Sequence, residues 1–249
     1  MSAVERVVWR LSGTDPLAFL QATTTQDHTG QAIGESRWCA TLDQHGRVLA
    51  FLRATPLDAT TVLLDGEAAC EAGIAWLSQI AGLSRCTIER TDLVAEPVDA
   101  EADEWTRISR GWPRYGIDVT DRDLLNDTPL LALCTSFVKG CYRGQETVAK
   151  IQNLGHARRA HTLATLTGAE ALPAGTEVVV GGRNSGRVTS SATDGTQVRA
   201  IVSIRAEDAA DDATIDGRAA NLQPIVLAEM PTTTAPPPAR PVSRAFGRR

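Results

Sequence analysis

The chain has 249 residues, 43% of them hydrophobic and 22% charged, with 25 basic and 30 acidic side chains and a net charge of -5. That size and polarity suit one large domain or two small ones with a real core, and the acidity speaks against the basic surface that nucleic-acid binding needs. No apolar run approaches the roughly 18 residues of a membrane span, and the five scattered cysteines form no disulfide framework in a chain this large.

"VERVVWRLSG" (4–13) reads as a strand, and Glu5 and Arg6 stand where a signal peptide needs its apolar stretch. In "TDPLAFLQATT" (14–24), Thr14 or Asp15 is placed to cap a helix with Pro16 in its first turn. "SRWCATLDQHGRVLAFLRAT" (36–55) is two strands joined by a longer-loop turn at Asp43-Gln44-His45-Gly46. "TTVLLDG" continues as a strand. "EAACEAGIAWLSQIAG" has helical spacing at Ala69, Ile74, Leu77 and Ile80 and stops at Gly82. After the strand "CTIERT", residues 92–104 are acidic and aperiodic, a linker or loop. "EWTRISRGWPRYG" is a short helix ended by Gly111 and Pro113.

After His156 the character changes. "RRAHTLATLTG", "TEVVVGG", "GRVTSS", "QVRAIVSIR" and "GRAANLQPIV" are short strands, with Gly181-Gly182 and "NSG" (184–186) as turns. Their spacing predicts a small β-barrel or sandwich. The overall expectation is an α+β fold of residues 1–159 with a barrel at 160–228. The Pro-rich tail 229–249 is expected to be disordered, and from Pro231 on it carries four arginines and no acid.

The chemistry concentrates in "KGCYRGQETVAK" (139–150), where Cys141 sits between Gly140 and Gly144 and between Lys139 and Arg143, at the start of a helix. Cations and a helix N-terminus acidify a thiol, so Cys141 is the candidate reactive group with Lys139 beside it. Two readings stay open: a working thiol, or an inert cysteine in a loop-to-helix turn. His156 and His161 are the candidate bases of a Cys/His pair, while His28 and His45 read as loop residues. No clustered thiolates or Cys-x-x-Cys are present, so no metal site is expected.

This motif resembles the signature of the YgfZ family, relatives of the glycine-cleavage T-protein. "FLQATTTQD" (19–27), "HGRVLAFLRA" (45–54), "RISRGWPRYGID" (107–118) and "LPAGTEVVV...GRVTSS" are similar to further segments of it. The resemblance implies an aminomethyltransferase-like folate-binding domain followed by a C-terminal barrel. It also implies a cytoplasmic accessory factor that binds tetrahydrofolate or a related folate. Its partners would be iron–sulfur client proteins or their assembly machinery, with neither membrane nor nucleic acid. Cys141 and Lys139 would be the working residues. Thr25, Asp27, Trp105, Arg107, Tyr115, Tyr142, Gly144, Gln145 and Glu146 would surround the folate. Trp112 is a further candidate for stacking on the pterin, and Arg114 and Arg158 for meeting the glutamate tail.

Two departures from the family pattern stand out. The T-protein's acidic pair after the hairpin is Ala50-Phe51 here, and the acid after its Arg-Leu is Ser109. Neither Ala50 nor Phe51 can move a proton, which argues against aminomethyl transfer. The middle segment is also about a dozen residues long where family members carry a lobe. Three functions therefore stand side by side: a folate-dependent iron–sulfur accessory factor, a one-carbon transferase, and a binding module that has lost folate.

Overall fold

A computed structural model of the protein describes residues 6–94, 96–98, 101–209 and 211–227. The tail at 229–249 lies outside the described residues. The first lobe is an antiparallel sheet of strands β1 (Arg6–Gly13), β2 (Arg37–Leu42), β3 (Val48–Asp58), β4 (Thr61–Glu67) and β5 (Cys86–Thr91), in the order β2-β3-β4-β1-β5. Helix α1 (Pro16–Thr23) starts as its sequence predicts, with Asp15 accepting the amide of Ala18 at 2.9 Å and Pro16 in the first turn. Helix α2 (Glu71–Ala81) buries Gly73, Ile74, Leu77 and Ala81. Ala69, expected on that face, precedes the helix and is exposed.

Residues directly opposite in neighbouring strands share a face, and the faces of this sheet differ. One carries the apolar set Val7, Trp9, Leu11, Leu52, Ala54, Val62 and Leu64. The other carries charge: Arg53 lies opposite Asp65, Trp38 opposite Arg53, and Arg6 opposite Glu67. Arg6 and Arg53 both bind the Asp65 carboxylate, at 2.6 and 2.9 Å, and both stand over the Trp38 ring. Of the two expectations for segment 92–104, its described residues fit a loop held against this face rather than a free linker. The carbonyl of Glu96 accepts from Arg53, Val98 is buried, and Glu101 pairs with Arg6 and accepts the Trp112 indole N–H. Trp38 stacks on Phe51 at 4.6 Å and meets Trp112 edge-on at 5.0 Å, so these rings seal that face.

The second lobe is a closed antiparallel barrel of β6 (Arg159–Thr167), β7 (Glu177–Val180), β8 (Arg183–Thr193), β9 (Gln197–Arg205), β10 (Asp212–Ile215) and β11 (Arg218–Pro224). Alternate residues, among them Val178, Val180, Ala200, Val202 and Ile204, fill its interior. Gly181 and Gly182, both at positive φ, make the two-residue turn between β7 and β8. The expected turn at 184–186 is instead part of β8, beside a slip in register at Val178 and Val179. Strand β10 is four residues long, too short and too polar to signal itself.

Helix α3 (Glu104–Ser109), capped by Asp103, joins the lobes by packing Ile108 against Ala192 and Ile201 of the barrel wall. With that outer cover, residues 200–204 of β9 are buried on both faces of the barrel wall. Asp118 is the polar centre of the seam. Its carboxylate takes Arg107 at 2.8 Å, the Arg114 amide at 2.9 Å, and the hydroxyls of Thr189 and Ser190. The His161 ring nitrogens face the carbonyl oxygens of Asp118 and Asp127, at 2.7 and 2.9 Å.

Candidate functional site

The Cys141 turn connects helix α4 (Leu130–Cys134), unforeseen in the sequence, to helix α5 (Gln145–Leu154). Gly144 precedes α5 with φ +81, and a Cβ there would fall 2.5 Å from the carbonyl oxygen of Asp43. The helix start is thereby pressed against the β2–β3 turn, which is itself braced by Leu125 N–H donating to Gly46 O and Val48 N–H to Asp123 O. Gly140 is different: a Cβ there meets nothing within 4 Å, and its φ is not positive. The two glycines of the motif are not equivalent.

The side chains around Cys141 alternate between anchored and displayed. Lys139 is buried, with its ammonium donating to the carbonyls of Thr24 at 2.6 Å and Gln26 at 2.9 Å and standing 5.2 Å from the Tyr142 ring. Burial pushes this ammonium down to about 8. Tyr142 is buried, and its amide donates to the Gln145 side chain at 3.3 Å. The Arg143 guanidinium stacks on Trp76 of α2 at 4.6 Å. Phe137, Val138, Gly140 and Cys141 face solvent. The two cations expected to flank the thiol are thus engaged with carbonyls and an indole.

Cys141 is the exposed cysteine of the five. Burial pushes the thiols of Cys39, Cys70 and Cys134 up to about 12 and raises that of Cys86. The expected histidine bases do not accompany Cys141. His156 follows the far end of α5, which at ten residues is about 15 Å long, and His161 lies in the seam between the lobes. His28, read as a loop residue, is instead buried between Gln31 and Thr24, and burial lowers it to about 4. Among the described residues, no group of three or more His, Cys, Asp or Glu is placed to hold a metal ion, and no helix is long and apolar enough to cross a membrane.

The residues expected around folate separate into two sets. Thr25 is buried and stitches the loop after α1 to α4 and β2, donating to Cys134 O and accepting the Ala40 amide. Asp27 follows it, half-buried, with the Thr29 amide holding its carboxyl below the usual range. Gln145 is half-buried and Glu146 exposed in the first turn of α5. These surround the turn. The others belong elsewhere. Trp105 packs in the seam beneath Arg199, and Arg107 is 1% exposed between Glu104 and Asp118. Tyr115 donates its hydroxyl to Val48 O and Leu49 O, and Trp112 closes the sheet face. Arg114 pairs with Glu104, and Arg158 is exposed.

Sequence reading missed the buried charges Arg6, Arg53, Asp65 and Glu101. For Arg6, Arg53 and Asp65 the signal was charge within a strand; Glu101 lies in the segment after β5, where the sequence offered none. No family model matches the chain, and no curated protein does. Among solved structures, the glycine cleavage system aminomethyltransferase T from Bartonella henselae superposes with a TM-score of 0.74 at 16% identity, over 87% of this chain and 82% of that one. The fold is that of an aminomethyltransferase T. Phe51 and Ala50, standing where the sequence comparison put the transferase's acids, are both buried apolar groups of the first core.

Proposed function

We propose that this protein is an accessory factor for iron–sulfur proteins, built on the aminomethyltransferase fold and working through the thiol of Cys141. One observation carries the reading. The turn around Cys141 is anchored at Lys139, Tyr142, Arg143 and Gly144, while Cys141 itself is left open to solvent. A cysteine used for packing is buried, as the other four are.

Aminomethyl transfer is not part of this function, because Ala50 and Phe51 offer no group to take or give a proton. The acceptor groups at the rim of the turn suit a folate. The carboxylates of Asp27 and Glu146 and the amide of Gln145 match the paired N–H donors at the edge of a pterin. Bound there, a folate would supply a one-carbon carrier or a redox-active ring. The chain's own residues would orient it and keep Cys141 in reach.

A second reading, a module that has lost folate, is favoured by the commitment of Trp105, Arg107, Trp112 and Tyr115 to internal contacts. Calorimetric titration with a reduced folate decides between them. Saturable binding weakened by Asp27→Asn and Glu146→Gln supports the first, and no binding leaves the second. For the thiol, the test is complementation of a strain lacking the protein, scored by the activity of an iron–sulfur enzyme. Cys141→Ser is expected to fail; full rescue by it rejects the thiol function.

A further inference from the structure

We propose that Lys139 is the positioning residue of the Cys141 turn: its ammonium is a strut fixing the turn to the loop after α1, and not a charge that acidifies the thiol. The inference rests on the reading of Cys141 as the functional thiol and assigns Lys139 a role the motif alone does not suggest. Val138, Gly140 and Cys141 are exposed, whereas Lys139 between them turns inward and is 9% exposed. An ammonium has three N–H bonds and no acceptor. Here the two carbonyls and the Tyr142 ring surround it.

The carbonyls it takes are not arbitrary. Thr24 caps the C-terminal end of α1, where the helix exposes unpaired carbonyls of partial negative charge, and α1 has no basic residue in its last turn. Lys139 supplies that cation from 115 residues away. The other ties between the two loops are neutral. Ser136 N–H donates to Thr25 O at 3.0 Å, Thr25 to Cys134 O, and Gln26 to Leu133 O at 3.2 Å. They end at Ser136, five residues short of Cys141, and Lys139 is the charged tie beyond them. The titratable groups that act on it from neighbouring elements are Asp27 and Cys39, and Lys139 in turn acts on buried His28. The consequence is a mechanical link between the loop bearing Asp27 and the turn bearing Cys141.

Lys139→Met keeps the aliphatic stem over Tyr142 and removes the donors and the charge. On the purified full chain, two quantities are read: amide hydrogen exchange by mass spectrometry, and the alkylation rate of Cys141 against pH. A strut predicts that protection of 24–29 and 135–142 falls together by about tenfold or more, with the barrel peptides unchanged. It also predicts that the midpoint of the alkylation profile stays where it is in the native chain. A midpoint that rises with protection intact makes Lys139 an electrostatic activator and overturns the proposal. Unchanged protection and midpoint overturn it as well. Should Lys139→Met lose barrel protection, and so fail to fold, Lys139→Gln is read in the same two ways. These readouts do not depend on complementation, so rescue by Cys141→Ser would reject the functional reading while leaving the strut measurement intact.

Discussion

Replacing Gly144 by alanine should be among the most damaging single changes near the site, and replacing Gly140 should do almost nothing. Gly144 has φ +81, where an L-residue costs about 1–2 kcal/mol. Its new Cβ would lie 2.5 Å from Asp43 O and 3.1 Å from the Leu42 Cβ. The first of these is backbone in a turn held on both sides, so it cannot yield cheaply, and forced displacement of this kind adds about 1–3 kcal/mol. Together the two effects reach about 3 kcal/mol. For a chain of this size that lowers Tm by roughly 6–12 °C. Gly140→Ala meets nothing within 4 Å and needs no positive φ, so its effect stays within about 0.5 kcal/mol. Urea and thermal unfolding of both variants, followed by circular dichroism, make the comparison. Equal losses at the two glycines would refute the geometric argument, since they share a motif and differ only in backbone and surroundings.

Limited iodoacetamide treatment of the native protein should label Cys141 first, with Cys39, Cys70 and Cys134 at least about tenfold slower, as read by peptide mass spectrometry. Asp118→Ala leaves Arg107 charged, buried and short of a partner, together with the hydroxyls of Thr189 and Ser190. It should cost about 3–5 kcal/mol in urea unfolding. Burial, with Glu101 nearby, pushes the Glu67 carboxyl from 4.5 up to about 8. The folded chain therefore keeps a proton that the unfolded chain releases, and stability falls as pH rises between those two values. Glu67→Gln should flatten that limb of a Tm-against-pH series; an unchanged slope would show that Glu67 is not its source.

What could be read along the chain was whatever short-range chemistry encodes. Asp15-Pro16 announces the start of α1, Gly144 the start of α5, and the Gly181-Gly182 pair a two-residue turn, because each rests on the conformational preference of one or two residues. The alternation that makes a barrel was visible too, although β10, four residues among acids, fell below any periodic signal. The partners of polar side chains were not visible. Lys139 and Arg143 look in sequence like cations beside a thiol, yet one reaches Thr24 and the other Trp76. Trp105, Arg107 and Tyr115 have the chemistry of a pterin site, but their donors and faces are taken up by Asp118, Ser190, Val48 and Arg199. Local conformation is written in neighbouring residues, so it survives reading one window at a time. A hydrogen bond across more than a hundred residues depends on where the sheet and barrel bring two loops together, and only the folded chain decides that.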